Sequence, residues 1–232
     1  MKPLYRPKGK AREYGDFAVN IYTGCPHRCY YCFAPSVLRK DREKFHSEVK
    51  PRDGIVEALC HQLEREKITG KLVHLCFTCD PYPSGCDSSA TREVIEVLKA
   101  TGNHVQILTK NPSFRDFDLL DENDWFGITY DGGFRVGGFI PMFHMPVVKK
   151  AHDIGIKTWI SYEPVLNEEA VLSSIEETAD YVDKIKIGKL NYYPSSIDWK
   201  QFGLRVEELC KELSLDYYIK DSLRAAMEEA EA

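Results

Sequence analysis

Residues 18 to 33 read AVNIYTGCPHRCYYCF, a β-rich run that opens directly into three cysteines spaced Cys25-x3-Cys29-x2-Cys32. A short apolar run followed by a polar loop is how a strand-to-helix unit begins. The same grammar recurs at KLVHLCFT (71 to 78), HVQILTK (104 to 110), DWFGITY (124 to 130), KTWISYE (157 to 163), KIKIGKL (184 to 190) and DYYIK (216 to 220), giving seven candidate strands. Between them, Ile55, Val56, Leu59 and Leu63, and then Val94, Ile95 and Leu98 before Gly102, repeat at helical spacing. Asn167 followed by Glu168 and Glu169 marks a helix start, and Leu209 with Leu213 marks another helix face. Such alternation predicts an α/β fold with a parallel sheet and right-handed crossovers. A closed eight-unit barrel takes about 250 residues. Six or seven units in 232 residues therefore predict a partial, open TIM-type barrel, of the (β/α)6 kind.

Hydrophobic residues at 43% and charged residues at 29% exclude a disordered, collagenous or coiled-coil chain. The length suits one domain spanning 1–232, with a core over about 15–200 and a C-terminal helical extension over about 201–232. No apolar run approaches the ~20 residues of a membrane span, and residues 1–15 are basic and polar without a signal-peptide core. The expectation is a cytoplasmic protein with no membrane partner. The net charge of −5 divides unevenly: residues 1–52 hold 12 basic and 5 acidic side chains, and the remainder is acidic. This argues against a general polyanion binder but leaves a local basic face for a phosphate, a nucleic acid or an acidic redox partner. Eight cysteines without a secretion signal are read as free thiols, which favours metal or redox chemistry.

Polar residues gather where the strands end: Cys25; Thr78, Cys79 and Asp80; Thr109, Lys110 and Asn111; Thr129, Tyr130 and Asp131; Ser161 and Glu163; Lys189 and Asn191. Each alone is an ordinary turn former. Six in succession point to a site at the carboxyl edge of the sheet, where such folds place their chemistry.

Cys25, Cys29 and Cys32 are the candidate metal ligands. Soft thiolates select iron–sulfur clusters, zinc or copper(I), and a [4Fe-4S] cluster normally takes four cysteines. Three local ligands leave one iron open, and an open position distinguishes a catalytic centre from a closed structural one, a rule for zinc extended here by analogy. The alternative is a structural zinc knuckle completed by His27 or a distant cysteine. A second cluster on Cys76, Cys79 and Cys86 needs an irregular backbone, because the strand pattern separates Cys76 from Cys79. Cys60 and Cys210 read as small core residues, and the glycine-rich stretch 131 to 139 as a turn or lid. Glu163 and Lys189 are read as an ion pair or an acid and base at the barrel mouth. Tyr22, Tyr30, Tyr31, Tyr82, Tyr130 and Tyr162 offer aromatic surface at strand exits. Arg39, Lys40, Arg42 and Lys44 are read either as a solvated helix face or as a dock for an acidic electron donor.

The loop G-C-P-H-R-C-Y-Y-C-F (24 to 33) resembles the cluster loop of the radical S-adenosylmethionine enzymes. The resemblance implies a partial (β/α)6 barrel over roughly residues 15 to 200 and a [4Fe-4S] cluster on Cys25, Cys29 and Cys32. It also implies S-adenosyl-L-methionine on the open iron, with reductive cleavage to a 5′-deoxyadenosyl radical. With F-T-C-D-P-Y (77 to 82), L-T-K (108 to 110) and S-Y-E-P (161 to 164), the chain is most similar to the branch of spore photoproduct lyase and the DNA-repair photolyase-like radical enzymes. That similarity implies Tyr31 and Phe33 against the adenosyl moiety, Thr78, Cys79 and Asp80 at the methionine end, Lys110 at the carboxylate and Thr129 at the ribose or carboxylate. The lyase carries a hydrogen-donating cysteine two residues ahead of the position of Cys79, where this chain has Phe77. Cys79 is therefore the candidate catalytic thiol. The implied partners are an electron donor such as flavodoxin or ferredoxin and an unknown substrate; nucleic acid is a minority reading, and lyase or transferase chemistry is left open. An iron–sulfur electron-transfer protein and a zinc-binding module remain as readings from other classes.

Overall fold

A computed structural model describes residues 2–133 and 144–228. The glycine-rich stretch read as a turn or lid lies outside the described residues from position 134 onward. The chain divides into two compact units, Met1–Phe126 and Gly127–Ala232.

The first unit carries β1 (Leu4–Tyr5), β2 (Phe17–Val19), β3 (Leu72–Leu75) and β4 (His104–Thr109), with helices α1 (Ala34–Leu38), α2 (Arg42–Ser47), α3 (Ile55–Glu66) and α4 (Ser89–Ala100). Strands β2, β3 and β4 are parallel, in the register Phe17–Val73–Val105 and Val19–Leu75–Ile107. Side-chain alternation puts these six apolar residues, all buried, on one face and Ala18, His74 and Gln106 on the other. The helical spacing seen in the sequence is real: α3 buries Ile55, Leu59, Gln62 and Leu63, and α4 buries Val94, Ile95 and Leu98. Each such side chain contributes about 1.5–3 kcal/mol of burial. Strand β1, too short to leave a pattern, pairs antiparallel with β2, and the buried Gln62 amide bonds both the N–H and the carbonyl of Leu4 to fix it.

Strand β5 (Trp125–Thr129) begins at the boundary between the units. The second unit continues with α5 (Met145–Asp153), β6 (Lys157–Tyr162), α6 (Glu168–Thr178), β7 (Lys184–Ile187), α7 (Trp199–Glu212), β8 (Tyr217–Ile219) and α8 (Asp221–Glu228). Strands β6, β7 and β8 are parallel, and Asn167 caps α6 by accepting the N–H of Ala170. The expectation for α7 needs correction. Its buried stripe is Phe202, Val206 and Cys210, one position away from the Leu209 and Leu213 reading, and Leu213 is an exposed residue just past the helix end. The segment from 201 also contributes β8, so it is not purely helical. Among the described residues the strands follow chain order from β1 to β8, and this is the α/β fold that the alternation predicts. No helix among the described residues is long and apolar enough to cross a membrane.

Candidate metal centre

The cysteine loop runs from the end of β2 to the start of α1, and α2 holds it. A Cβ added to Gly24 would lie 2.1 Å from the Phe45 carbonyl oxygen, so only glycine lets the loop approach the helix this closely. The N–H of Cys25 donates to that same carbonyl at 3.1 Å, and the N–H of Thr23 donates to Lys50 O at 2.9 Å. Arg42 donates through its guanidinium to the carbonyls of Cys29, Tyr30 and Cys32. The His46 ring, buried, has Nδ1 2.7 Å from the carbonyl of Cys25. The sulfurs of Cys25 and Cys32 accept the backbone N–H groups of His27 and Ala34. The main chain is thus committed to hydrogen bonds while the three sulfurs are gathered in one loop.

Burial pushes the thiols of Cys25 and Cys32 up, with the Asp80 charge adding to the effect on Cys25 and nearby Cys29 adding to both. A metal brings the positive charge that reverses this balance and holds the sulfurs as thiolates. Three thiolates on one loop are a donor set that suits a polynuclear cluster, in which each thiolate takes a different iron. Among the described residues His104, Asp121 and Asp124 also bring three ligand atoms within 4.8 Å of one another. His27, the fourth ligand of the zinc alternative, instead places Nε2 3.3 Å from Asp80 Oδ2. The acidic group around His104 is itself neutralised, since the Lys99 ammonium bonds Asp121 and Asp124 at 2.6 and 2.5 Å.

At the exit of β3 the strand stops at Leu75, and Cys76 turns the chain with φ 72°. Asn20 Oδ1 then accepts the N–H groups of Phe77 and Thr78 at 2.8 and 2.9 Å, while its amide donates to Tyr5 Oη at 2.7 Å. This bend overturns the expectation that Cys76 and Cys79 lie on opposite faces: both are buried, and their thiols are near enough to shift one another's pKa. Burial and the neighbouring Cys79 push Cys76 up. Burial works to raise Cys79 as well, but Cys76 and a hydrogen bond from the Tyr22 amide bring it below the ordinary thiol value.

The Asp80 carboxylate accepts the Tyr82 and Lys110 N–H groups at 2.8 Å each and the Thr109 hydroxyl at 2.6 Å, with His27 Nε2 beside it at 3.3 Å. Burial alone would raise its pKa, but His27 and these donors hold it below the usual carboxylate range. Asp80 therefore ties the cysteine loop to the end of β4. Lys110 Nζ donates to Tyr31 Oη at 2.9 Å and stands 5.4 Å over that ring, bringing two of the sequence-derived residues together. Thr78 Oγ1 is buried and has no hydrogen-bond partner, which suits a position awaiting a polar ligand atom. Phe33 caps α1 and is exposed, and Thr129 ends β5, half-buried, in the second unit.

Several residues were missed or misread in the sequence. Asn20 and His46 carry no motif, Gly24 opens the quoted loop without a role read for it, and Arg42, read as a solvated helix face or a donor dock, turns to the loop instead. Cys60 is half-exposed with its sulfur 3.6 Å from Glu64 Oε1, whereas Cys210 is buried as expected. In the second unit Glu163 pairs with Lys220 rather than with Lys189, in the space left by Gly188, where a Cβ would meet Glu163 Cδ at 2.9 Å. Of the tyrosine set, Tyr22 and Tyr162 are fully buried and bond Thr91 and Ser174, so they are packing residues rather than stacking surface.

No family model matches the chain. Uncharacterized protein Rv2578c of Mycobacterium tuberculosis (strain ATCC 25618 / H37Rv) is 33% identical over 112 residues, 46% of this chain and 33% of that protein. The match thus spans a third of the length of these mycobacterial relatives. Uncharacterized protein ORF301 of Acidianus two-tailed virus is 23% identical over 213 residues, 78% of this chain and 69% of that protein. Among solved structures, a spore photoproduct lyase mutant matches with a TM-score of 0.71 at 12% identity, covering 92% of this chain and 78% of that one. SuiB of Streptococcus suis, solved bound to S-adenosylmethionine, matches with a TM-score of 0.69 at 13% identity, covering 93% of this chain and 53% of that one. With its three-cysteine loop at the end of β2, the chain has the fold of the radical S-adenosylmethionine enzymes spore photoproduct lyase and SuiB.

Proposed function

We propose that the protein is a radical S-adenosylmethionine enzyme that binds a [4Fe-4S] cluster through Cys25, Cys29 and Cys32 and abstracts hydrogen from a substrate still to be identified. The observation that carries this reading is the cysteine loop itself: three thiols on one short loop, with all three cysteine carbonyls held by α2 side chains. When bound, the cluster supplies the electron that cleaves S-adenosyl-L-methionine to a 5′-deoxyadenosyl radical. The protein's part is position, charge and exclusion of water.

In this reading the Lys110 ammonium meets the methionine carboxylate, a charge-assisted contact, with Tyr31 orienting the ammonium. Thr78 offers its unpartnered hydroxyl to the same end of the ligand. Tyr31 and exposed Phe33 flank the adenosyl group. Asp80 acts through the loop it ties rather than by direct contact, because its oxygens are already engaged. Cys79, buried beside Cys76, is the thiol that would return a hydrogen atom to the product radical, its S–H bond breaking so that proton and electron leave together and a thiyl radical remains on Cys79. The exposed Arg39, Lys40 and Lys44 present a basic face to an acidic flavodoxin or ferredoxin in the cytoplasm. For the substrate, the solved relatives suggest two classes: a spore photoproduct lyase structure holds a dinucleoside spore photoproduct, and a SuiB structure holds the precursor peptide SuiA.

The test is spectroscopic. Anaerobic reconstitution with iron and sulfide, followed by reduction, should give a paramagnetic cluster whose spectrum changes when S-adenosylmethionine is added. A cluster spectrum insensitive to S-adenosylmethionine would favour an electron-transfer protein, and a colourless zinc protein would overturn the reading.

A further inference from the structure

The three loop carbonyls gathered by Arg42 belong to a stretch of four residues that contains two of the three cysteines. A guanidinium is a planar fork of five donors, which suits it to several acceptors at once, whereas a lysine ammonium is a compact point charge on a flexible stem. Arg42 is only half-buried, but its head is turned to the cysteine carbonyls, unlike exposed Arg39 and Lys44; exposed Lys40 donates further back, to Thr23 O at 2.7 Å. The sharp turn that closes the loop, with Cys32 N–H on Cys29 O at 3.0 Å, has both of its end carbonyls on the guanidinium. From the same helix, His46 takes the carbonyl of Cys25, so all three cysteine carbonyls are held by α2 side chains.

We propose that Arg42 is the positioning residue that presets the cysteine loop for its cluster and, through its fixed positive charge, raises the cluster's reduction potential. The proposal rests on the iron–sulfur reading of the loop. Two separable effects follow. The fork geometry slows loss of the cluster, because each carbonyl released frees the loop to rearrange. The charge favours the reduced state, which carries one more electron, because the guanidinium sits on the carbonyls of Cys29 and Cys32 and its charge reaches the Cys32 sulfur.

The experiment compares wild type with Arg42→Lys, Arg42→Met and the surface control Lys44→Met, each reconstituted anaerobically. Three quantities are read: iron and sulfide per chain, the half-life of the cluster in the presence of a chelator, and the midpoint potential from a dithionite titration followed by electron paramagnetic resonance. Arg42→Met is expected to lose iron several-fold faster and to titrate at a more negative potential. Arg42→Lys is expected to keep the wild-type potential but to lose iron faster, which separates charge from fork. Lys44→Met should match wild type in all three. Circular dichroism of the metal-free chains checks folding. Should Arg42→Met fail to fold, Arg42→Lys still decides: iron retention equal to wild type overturns the proposal. An Arg42→Met protein with wild-type retention and potential also overturns it while leaving the iron–sulfur reading intact. A wild type that takes up no iron overturns both.

Discussion

In the first unit polar side chains are spent on the backbone of the loops: Asn20 and Asp80 at strand exits bond main-chain N–H groups, and Arg42 and His46 on α2 bond carbonyls. In the second unit the corresponding side chains close on each other, Glu163 on Lys220 in the space left by Gly188. The first pattern fixes a loop and leaves thiols to bind something; the second pairs the buried Lys220 charge with half-buried Glu163 and stabilises the fold. The difference teaches that polar side chains spent on loop backbone preset a loop, whereas an ion pair closed within the fold serves stability.

The comparison is broken most directly at Cys29. Cys29→Ala should abolish cluster binding, with iron per chain falling to background, while thermal unfolding of the metal-free chain stays unchanged. Glu163→Ala should do the reverse. It removes a counter-charge from the nearly buried Lys220 and should destabilise the protein by about 3 kcal/mol in urea unfolding, without altering the iron content of the folded fraction. Gly24→Ala tests whether the close approach to α2 matters. The Cβ must displace the Phe45 carbonyl, so a stability loss of about 1–3 kcal/mol should accompany poorer cluster uptake. Lys110→Met should weaken S-adenosylmethionine binding about tenfold, the size of one charge-assisted contact, with iron content preserved in equilibrium dialysis of the loaded protein. The smallest effect is in pH. A carboxyl held below its ordinary value stabilises the fold above the unfolded carboxylate range and loses that contribution as pH falls through the lower folded value. Acid unfolding of Asp80→Asn should therefore be less steep below about pH 4 than that of wild type.

Much of this was legible from residues alone. The strand runs around 104 to 109 and 157 to 162 and the helix faces of α3 and α4 follow from hydrophobic spacing, which long-range packing only reinforces. The cysteine spacing announced the loop. What spacing does not encode is where a strand stops. The backbone turn at Cys76 cannot be read from K-L-V-H-L-C-F-T, and it reverses the relation between Cys76 and Cys79. Long-range side-chain partners are equally silent: nothing local distinguishes Arg42 from Lys44, or Lys189 from Lys220, because the choice depends on which loop the fold brings within reach. The α7 face slipped by one residue for a simpler reason, since Leu213 lies past the helix end where periodicity no longer holds.

The central claim is that the cysteine loop supports reductive cleavage of S-adenosylmethionine. It is tested most directly by quantifying 5′-deoxyadenosine formed anaerobically by reconstituted wild type and Cys29→Ala with dithionite and S-adenosylmethionine. The account predicts product from the wild type and none from the variant. Equal amounts from both, or zinc in place of iron in the wild type, would contradict it.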